Sequence, residues 1–447
     1  MTEAPDASTG TAKDASSQRR MLACLLLGLF ALSAYDAVFP VFATRIRAYF
    51  SINAEQYGTL MGMASIGRIP ALLLVGPLIA GVGVRRIAKI ALAGIGVSFL
   101  IIGIGGKLNA LYAGIVVMGL FMALGGVAIP ALLIALFPDL KRRIFSIHLV
   151  AGAVPGILIP LLAHQMLVWS ADKGDRAFAA IFFVPFIIAG AILVVGGALL
   201  GMRKQDQVWV ELDSPSVVIK RRGLPNLLHA MTVLRRAIHN LCSTVIELLR
   251  DMLNLRSGVI VLLVALHGAA DNTIYQFLPQ FMEAHFQRLP LAPAWAVAGH
   301  GFAYLMTRSF LSFLPERVGQ RTILILAGPI GGLVVIGTLW CGAPVLVPIL
   351  YTVACLFFAA EYPVLVSEIS SRSPGNFGSL FACGLIASEI VTLFLLKGTG
   401  RLADRTGDFR VALSVAACGF IAFGIIAAFT RLGMPSSAGQ DKKGAPL

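Results

Sequence analysis

Charged residues are scarce in this chain: Asp, Glu, Lys and Arg make up 13% of 447 residues, whereas hydrophobic residues make up 57%. A soluble chain of this length would carry more charge on its surface. Apolar runs of roughly 20 residues recur, each long enough as a helix to cross the ~30 Å hydrocarbon layer of a membrane. Open strands are excluded there, because their unpaired backbone groups would face lipid. The composition therefore predicts an all-α polytopic membrane protein.

Cysteine is also rare, with six residues in the chain. Five of them fall inside apolar spans and Cys242 falls in a polar break, so no pair is placed for a disulfide outside the membrane. We interpret the five as small buried side chains.

Motifs for catalysis and nucleotide binding are missing. The sequence has no Gly-x-x-x-x-Gly-Lys-Ser/Thr loop, which argues against ATP-driven transport by this chain. The histidines His148, His164, His267 and His300 lack metal-ligand spacing, so packing or interfacial roles are predicted for them. We therefore expect no enzyme activity, no catalytic or metal-binding residues and no cofactor.

Twelve apolar spans are predicted, separated by polar or charged breaks. They lie near 21–44, 56–80, 87–106, 109–137, 144–168, 178–201, 257–282, 294–315, 322–341, 344–369, 378–398 and 409–431. Disordered cytoplasmic tails are expected at 1–20 and 432–447. The longest break, 203–256, divides the chain into six-helix bundles at 21–202 and 257–431.

Lysine and arginine concentrate on one side of these spans, at 85–89, 141–143 and 203–256. By the positive-inside rule, those breaks and both termini lie in the cytoplasm. The formal net charge of +14 then reflects topology and attraction to anionic membrane lipids, not nucleic-acid binding. From Leu224 the break at 203–256 carries apolar residues at helical spacing, which predicts an amphipathic helix along the inner leaflet.

The two halves carry matching residues. Asp36 in the first half and Asp271 in the second are separated by nearly the same number of residues as four further pairs of identical residues, which all share one separation. These four pairs are Pro130 with Pro363, Ser146 with Ser379, Gly174 with Gly407, and Asp175 with Asp408. Repeated coincidence at one offset indicates duplication of a six-helix unit. A parallel repeat of this kind is typical of transporters that rock between two states.

Two loops add a family resemblance. GPLIAGVGVRR (76–86) and SFLPERVGQR (312–321) are similar to the major facilitator superfamily signature G-x-L-x-D-R-x-G-x-R, with Ala80 where the signature has Asp. The resemblance implies the major facilitator fold, with twelve transmembrane helices in two repeats. It also implies a gating role, closing the cytoplasmic side, for the charged residues of these loops, Arg85, Arg86, Glu316, Arg317 and Arg321.

Within that superfamily the chain most resembles the fucose–proton symporter branch. LHGAADNTIYQFLPQF (266–281) is similar to the seventh span of that branch, and LFFAAEYPVLVSEISSRSPGNFGSLFACG (356–384) with GRLADRTGDFRVAL (400–413) is similar to its last three spans. The resemblance implies a sugar-like solute moved by alternating access. We expect a monomer in a bacterial inner membrane.

Six ionisable residues lie well inside the spans: Asp36, Arg68, Asp271, Arg308, Glu361 and Glu389. Each costs roughly 2.5–3.5 kcal/mol at a helix centre, so none should face lipid. The acids outnumber the arginines, and an unpaired buried carboxylate favours its neutral form. At least one acid should therefore bind a proton, or alternatively a sodium ion, in part of a transport cycle.

Asp271 is the leading candidate for proton coupling, followed by Glu361 and then Asp36. Seven residues are candidates for solute binding, through charge or hydrogen bonds: Arg308, Arg68, Asn272, Gln276, Tyr275, Tyr362 and Glu389. The pair of Asp36 and Arg68 could instead only join two helices.

These features favour a secondary active transporter of a small polar organic solute, driven by a proton. Three alternatives stay open: an organic-anion transporter in which Arg68 and Arg308 bind the solute, a lipid or drug exporter, and a membrane sensor without transport.

Overall fold

The computed structural model describes residues 8–136, 141–199, 255–286, 289, 291–311, 319–372 and 377–430. Regular structure in these residues is helical, which satisfies the backbone groups of an apolar chain within each segment. In chain order the helices are α1 (Ser8–Phe50), α2 (Ala54–Val82), α3 (Val84–Gly105), α4 (Leu108–Leu136), α5 (Lys141–Ser170), α6 (Gly174–Leu199), α7 (Leu255–His285), α8 (Ala292–Leu311), α9 (Gln320–Trp340), α10 (Leu346–Phe358), α11 (Glu361–Arg372), α12 (Phe377–Thr406) and α13 (Phe409–Phe429).

Ten segments of the described chain are long and apolar enough to cross a membrane. One of them, Val150–Ala198, covers both α5 and α6, which a short 3₁₀ turn at Ala171–Lys173 separates. Divided at the turn, this segment counts as two spans. The helix α8, which carries His300 and Arg308 along its length, is the remaining span, so the total is twelve. The predicted all-α fold with twelve spans is confirmed.

The first helix begins earlier than its apolar span. α1 starts at Ser8, so residues 8–20, predicted to be disordered, are helical. Extending an existing helix costs far less than nucleating one, and this stretch contains Ala, Lys, Gln and Arg, which are good helix formers. The break at 203–256 lies outside the described residues except for its last two, and the tail at 432–447 lies outside them entirely.

The tenth span, predicted as one helix over 344–369, is interrupted at Ala359–Ala360. The proline at position 363 explains the break, because it lacks the N–H that would bond to the carbonyl of Ala359. A proline in the first turn of α11 costs little, since the N–H groups there have no partner within the helix. The break places Glu361 at the first position of a new helix in the middle of the span.

Contacts divide the chain into two compact units. The first consists of Met1–Ser51 and Leu60–Ile246, and the second of Ile52–Thr59 and Glu247–Leu447. The first turn of α2 thus belongs with the second unit, although the rest of that helix belongs with the first.

Aromatic rings fill the core of the first unit between α1, α3 and α6. Tyr35 and Phe39 pack together with ring centroids 4.6 Å apart, and Phe39 meets Phe182 at 5.8 Å. Phe99 and Phe186 approach to 5.3 Å. These large buried rings stabilise the unit by removing apolar surface from its surroundings and by edge-to-face contact.

The two units share a local feature at the start of their last helices. Gly174 is the first residue of α6 and has φ 73°, and Gly407 lies two residues before α13 and has φ 68°, a conformation that favours glycine. The next residue in each case is an aspartate that meets a basic group: Asp175 with Arg45 at 3.3 Å, and Asp408 with His285 at 3.4 Å. The shared turn and ion pair support the predicted duplication.

Candidate functional site

Three helices of the second unit each carry polar side chains one turn apart. On α7 these are His267, Asp271 and Tyr275, on α8 they are His300, Tyr304 and Arg308, and on α10 they are Tyr351 and Cys355. Residues four positions apart share a helix face, so each set forms a polar stripe. The stripes meet inside the unit and build one hydrogen-bonded cluster.

Asp271 lies at the centre of this cluster. The hydroxyl of Tyr304 donates a hydrogen bond to its Oδ2 atom at 2.5 Å. Its Oδ1 atom has no hydrogen-bond partner, and the nearest basic atom to it is Nδ1 of His300 at 3.9 Å. The side chain is 19% exposed. An oxygen that is shielded but unsatisfied is suited to taking up a proton.

Arg308 supplies a positive charge to the same cluster. Its guanidinium carbon lies 5.0 Å from the ring centroid of Tyr304, a cation–π arrangement. Because Tyr304 bonds to Asp271, the arginine and the acid lie on either side of one tyrosine. Arg308 and Asp271 are therefore linked indirectly, through Tyr304.

The histidine at position 300 links the remaining members. Its ring stacks on Tyr304 at 4.4 Å and meets Tyr275 at 4.6 Å. Its Nδ1 atom is 3.1 Å from the Tyr351 hydroxyl and 3.6 Å from the Cys355 sulfur. This network fixes the orientation of the rings around Asp271.

Glu361 contacts His267, and this pair is more deeply buried than Asp271. The Nδ1 atom of His267 is 2.8 Å from Oε2 of Glu361, and the side chains are 5% and 0% exposed. The Oε1 atom of Glu361 has no hydrogen-bond partner. A Cβ atom added to Gly328 on α9 would collide with that oxygen, so the glycine makes room for the carboxyl group.

Other predicted site residues are distributed around these groups. The ring of Tyr362 stacks on His267 with centroids 6.2 Å apart. Gln276 is buried and accepts a hydrogen bond from the Tyr57 hydroxyl at 3.3 Å. Asn272 on α7 and Glu389 on α12 are half-buried.

The predicted coupling and solute-binding residues of the first unit lie on its first two helices. Asp36 is half-buried on α1 and follows Tyr35 in the sequence. Arg68 is half-buried on α2, with Nη2 3.8 Å from the sulfur of Met122.

The predicted gating residues fall partly within the described chain. Arg321 donates hydrogen bonds to the carbonyls of Thr430 at 2.6 Å and Ala428 at 3.0 Å, at the end of α13. Arg85 and Arg86 lie in the first turn of α3, and Arg86 is exposed. Glu316 and Arg317 lie outside the described residues.

A group of contacts that the sequence did not predict lies in the second unit at the start of α2. We call it the clasp, and it joins Ala54 and Glu55 to Lys397, Arg401 and Asp404. The carboxylate of Asp404 accepts hydrogen bonds from the backbone N–H groups of Ala54 at 3.0 Å and Glu55 at 2.8 Å. Glu55 in turn pairs with Arg401 at 2.7 Å and with Lys397 at 4.0 Å. Asp404 thereby satisfies two of the N–H groups that a helix start leaves without intrahelical partners.

Replacing Asp404 with alanine is expected to destabilise the protein by about 1 kcal/mol, because two charge-assisted bonds to α2 are lost. The measurement is the midpoint of thermal unfolding of the purified protein. Asp172→Ala, at an exposed acid in the turn before α6, is the control and should change stability by less than about 0.5 kcal/mol. Equal midpoints for Asp404→Ala and the control would contradict the capping role.

A surface groove of about 690 Å³ lies between α8, α9 and α10. Its walls are mainly apolar and include Phe302, Phe310, Leu326 and Phe357. The groove contains neither Asp271 nor Glu361, so it is separate from the polar cluster.

The sequence interpretation missed five members of the cluster: His267, His300, Tyr304, Tyr351 and Cys355. His267 had been given a packing or interfacial role, but it precedes Asp271 by one helical turn, and Tyr304 precedes Arg308 by one turn. That spacing was the signal that could have identified these two. Within the described residues, no group of three or more His, Cys, Asp or Glu side chains could hold a metal ion.

A helical membrane protein with two compact units and ionisable residues buried inside its spans has the construction of a multi-pass transport protein. The family model of the Major Facilitator Superfamily matches residues 24–383. The chain therefore belongs to that superfamily, and it is a transporter rather than an enzyme.

Solved structures with the same fold are also found. The chain is 14% identical to the E. coli fucose:proton symporter, with a TM-score of 0.58 over 92% of this chain and 98% of that one. It is 15% identical to a D-xylose-proton symporter (TM-score 0.67, 94% and 98% covered) and 12% identical to the nucleoside transporter NupG (0.63, 92% and 100%). No curated protein sequence was found to match the chain.

Proposed function

We propose that the protein is a proton-coupled secondary transporter of a small polar organic solute, with a sugar as the solute class. The observation that supports this most strongly is the environment of Asp271. One oxygen of this shielded acid has no hydrogen-bond partner, and the cation Arg308 contacts Tyr304, which bonds to the other oxygen. An acid in that setting changes protonation when its access to water changes, which is the requirement for linking proton movement to solute movement.

The residues nearest Asp271 would bind the solute. Tyr275 lies in the same stripe as Asp271 and Asn272 follows it on α7, and hydroxyl and amide groups suit the hydroxyls of a sugar. Arg308 would balance the charge of Asp271, with direct solute contact as the alternative role. Glu361 and Asp36 remain candidates for coupling, and Arg68, Gln276, Tyr362 and Glu389 remain candidates for solute contact. The coupling ion is a proton in this proposal, with sodium as the alternative.

The proposal also covers the membrane topology of the chain and the arrangement of its two helical bundles. Bundles at 21–202 and 257–431 would rock about the solute, joined by the basic break at 203–256, with both termini in the cytoplasm of a bacterial cell. The charged loops with Arg85, Arg86, Glu316, Arg317 and Arg321 would close the cytoplasmic side. The protein would act as a monomer, with membrane lipids around it.

Counterflow in proteoliposomes tests the transport class. Vesicles loaded with unlabelled D-xylose, L-fucose or uridine are diluted into the same labelled solute, and transient uptake above empty vesicles is expected for at least one of the two sugars. Uptake of only a carboxylate or phosphate ester in a parallel series would favour the anion alternative instead. Binding without any flux would favour a sensor and overturn the proposal.

A further inference from the structure

We infer that His267 and Glu361 form a second proton-binding site, in which the pair takes up and releases one proton as a unit. The pair is distinct from Asp271 in its partners and in its surroundings. It deepens the proposed function, on which its place in a transport cycle rests, but proton binding by the pair can be measured without any solute.

The geometry makes the two groups one chemical unit. The 2.8 Å separation of Nδ1 and Oε2 is a hydrogen-bond distance, and the two side chains are almost fully buried. The rings of Phe420 and Phe423 lie 5.8 and 6.3 Å from the imidazole ring, so the contact is surrounded by apolar groups. Two titrating groups this close share macroscopic protonation steps.

Charge balance indicates how many protons the pair binds. With neutral His267 donating from Nδ1 to ionised Glu361, the pair carries one negative charge. One added proton gives a neutral pair, written either as imidazolium with carboxylate or as imidazole with carboxylic acid. A buried net charge is costly, so the apolar surroundings favour the neutral form.

The cation of the cluster, Arg308, does not neutralise the negative charge of the His267–Glu361 pair. Arg308 lies over Tyr304, the tyrosine that bonds to Asp271, so its charge is balanced first by Asp271. The unsatisfied Oε1 of Glu361 points to the same conclusion, since it lies against Gly328, which offers no donor side chain. Asp271 is thus balanced by a cation, and the His267–Glu361 pair is balanced by a proton.

Titratable groups on the same and neighbouring helices influence the pH at which the pair changes protonation. Asp271 lies one turn further along α7, and α9 and α13 contribute Gly328, Phe420 and Phe423. The groups on the remaining neighbouring helices are His300, Tyr304 and Arg308 on α8, Tyr351 and Cys355 on α10, Tyr362 on α11 and Glu389 on α12.

The test is a pH titration of the purified full-length protein in lipid nanodiscs, followed by infrared difference spectroscopy. Carboxylic acid, carboxylate and imidazolium have separate bands, so either neutral form of the pair is detected. We expect wild type to show, in addition to any signal from Asp271, a buried proton whose signal Glu361→Gln removes. Asp271→Asn should leave that signal in place.

His267→Gln provides the evidence that the proton is shared. Because the carboxyl group loses its partner, its signal should remain but its titration midpoint should move by on the order of one pH unit or more. Glu361→Asp, which keeps the acid, should restore a titrating signal and controls for misfolding. An unchanged spectrum in Glu361→Gln, or an unchanged midpoint in His267→Gln, would overturn the inference. Absence of transport in the wild type would count against the proposed function and would leave proton binding by the pair to be judged from the spectra.

Discussion

Asp271→Asn should abolish proton-driven accumulation of D-xylose or L-fucose while leaving counterflow of the same sugar intact. The amide keeps the shape of the acid and can accept from the Tyr304 hydroxyl, but it cannot bind and release a proton. A pH gradient of one unit stores about 1.4 kcal/mol per proton, equal to a roughly tenfold concentration ratio of the solute. The variant should therefore only equilibrate the sugar across the membrane.

The measurement is uptake into proteoliposomes with an imposed pH gradient, compared with counterflow in the same preparation. Asp175→Asn is the matched control, because Asp175 is an acid with a side chain 74% exposed and far in sequence from the cluster. It should accumulate the sugar as wild type does. Retained uphill uptake in Asp271→Asn would refute the assignment of Asp271 as the coupling acid.

Arg308→Gln should produce a loss of accumulation as large as that of Asp271→Asn, for a different reason. The substitution leaves Asp271 without its cation, and an uncompensated buried charge costs about 3–5 kcal/mol. Asp271 avoids that cost by keeping a proton, so it stops exchanging one. Counterflow should persist where the acid remains protonated and should fall at alkaline pH.

The double variant Arg308→Gln/Asp271→Asn distinguishes this explanation from direct anion binding by Arg308. If the arginine serves to balance Asp271, removing both charges should restore counterflow at alkaline pH, and the effects of the two substitutions should not add. If Arg308 instead binds a carboxylate or phosphate of the solute, the double variant should exchange as poorly as Arg308→Gln at every pH.

The fold was predictable because the membrane imposes strict rules on sequence. Spans of about 20 apolar residues become helices with few alternatives, so the twelve spans and their order follow from the sequence. The break at Ala359–Ala360 was predictable in principle from Pro363, four residues later, but a proline inside a span often only kinks a helix.

The candidate site could be predicted only in part. Asp271 and Glu361 are conspicuous because acids are rare in such spans. His267 was given a packing or interfacial role because the histidines lack metal-ligand spacing, and no single helix shows its partner. The pairing of α7 with α11 brings it to Glu361, and that contact depends on tertiary packing. The clasp between Asp404 and the start of α2 was missed for the same reason, since its members lie far apart in the sequence.

Direct detection of proton movement driven by solute is the sharpest measurement for the account as a whole. Proteoliposomes with a pH-sensitive dye inside and no initial pH gradient receive an inward gradient of the sugar identified by counterflow. Acidification of the interior in wild type, absent in Asp271→Asn although the sugar still enters, is the result expected if Asp271 couples the two movements. Sugar entry at the wild-type rate with no change in internal pH would contradict proton coupling.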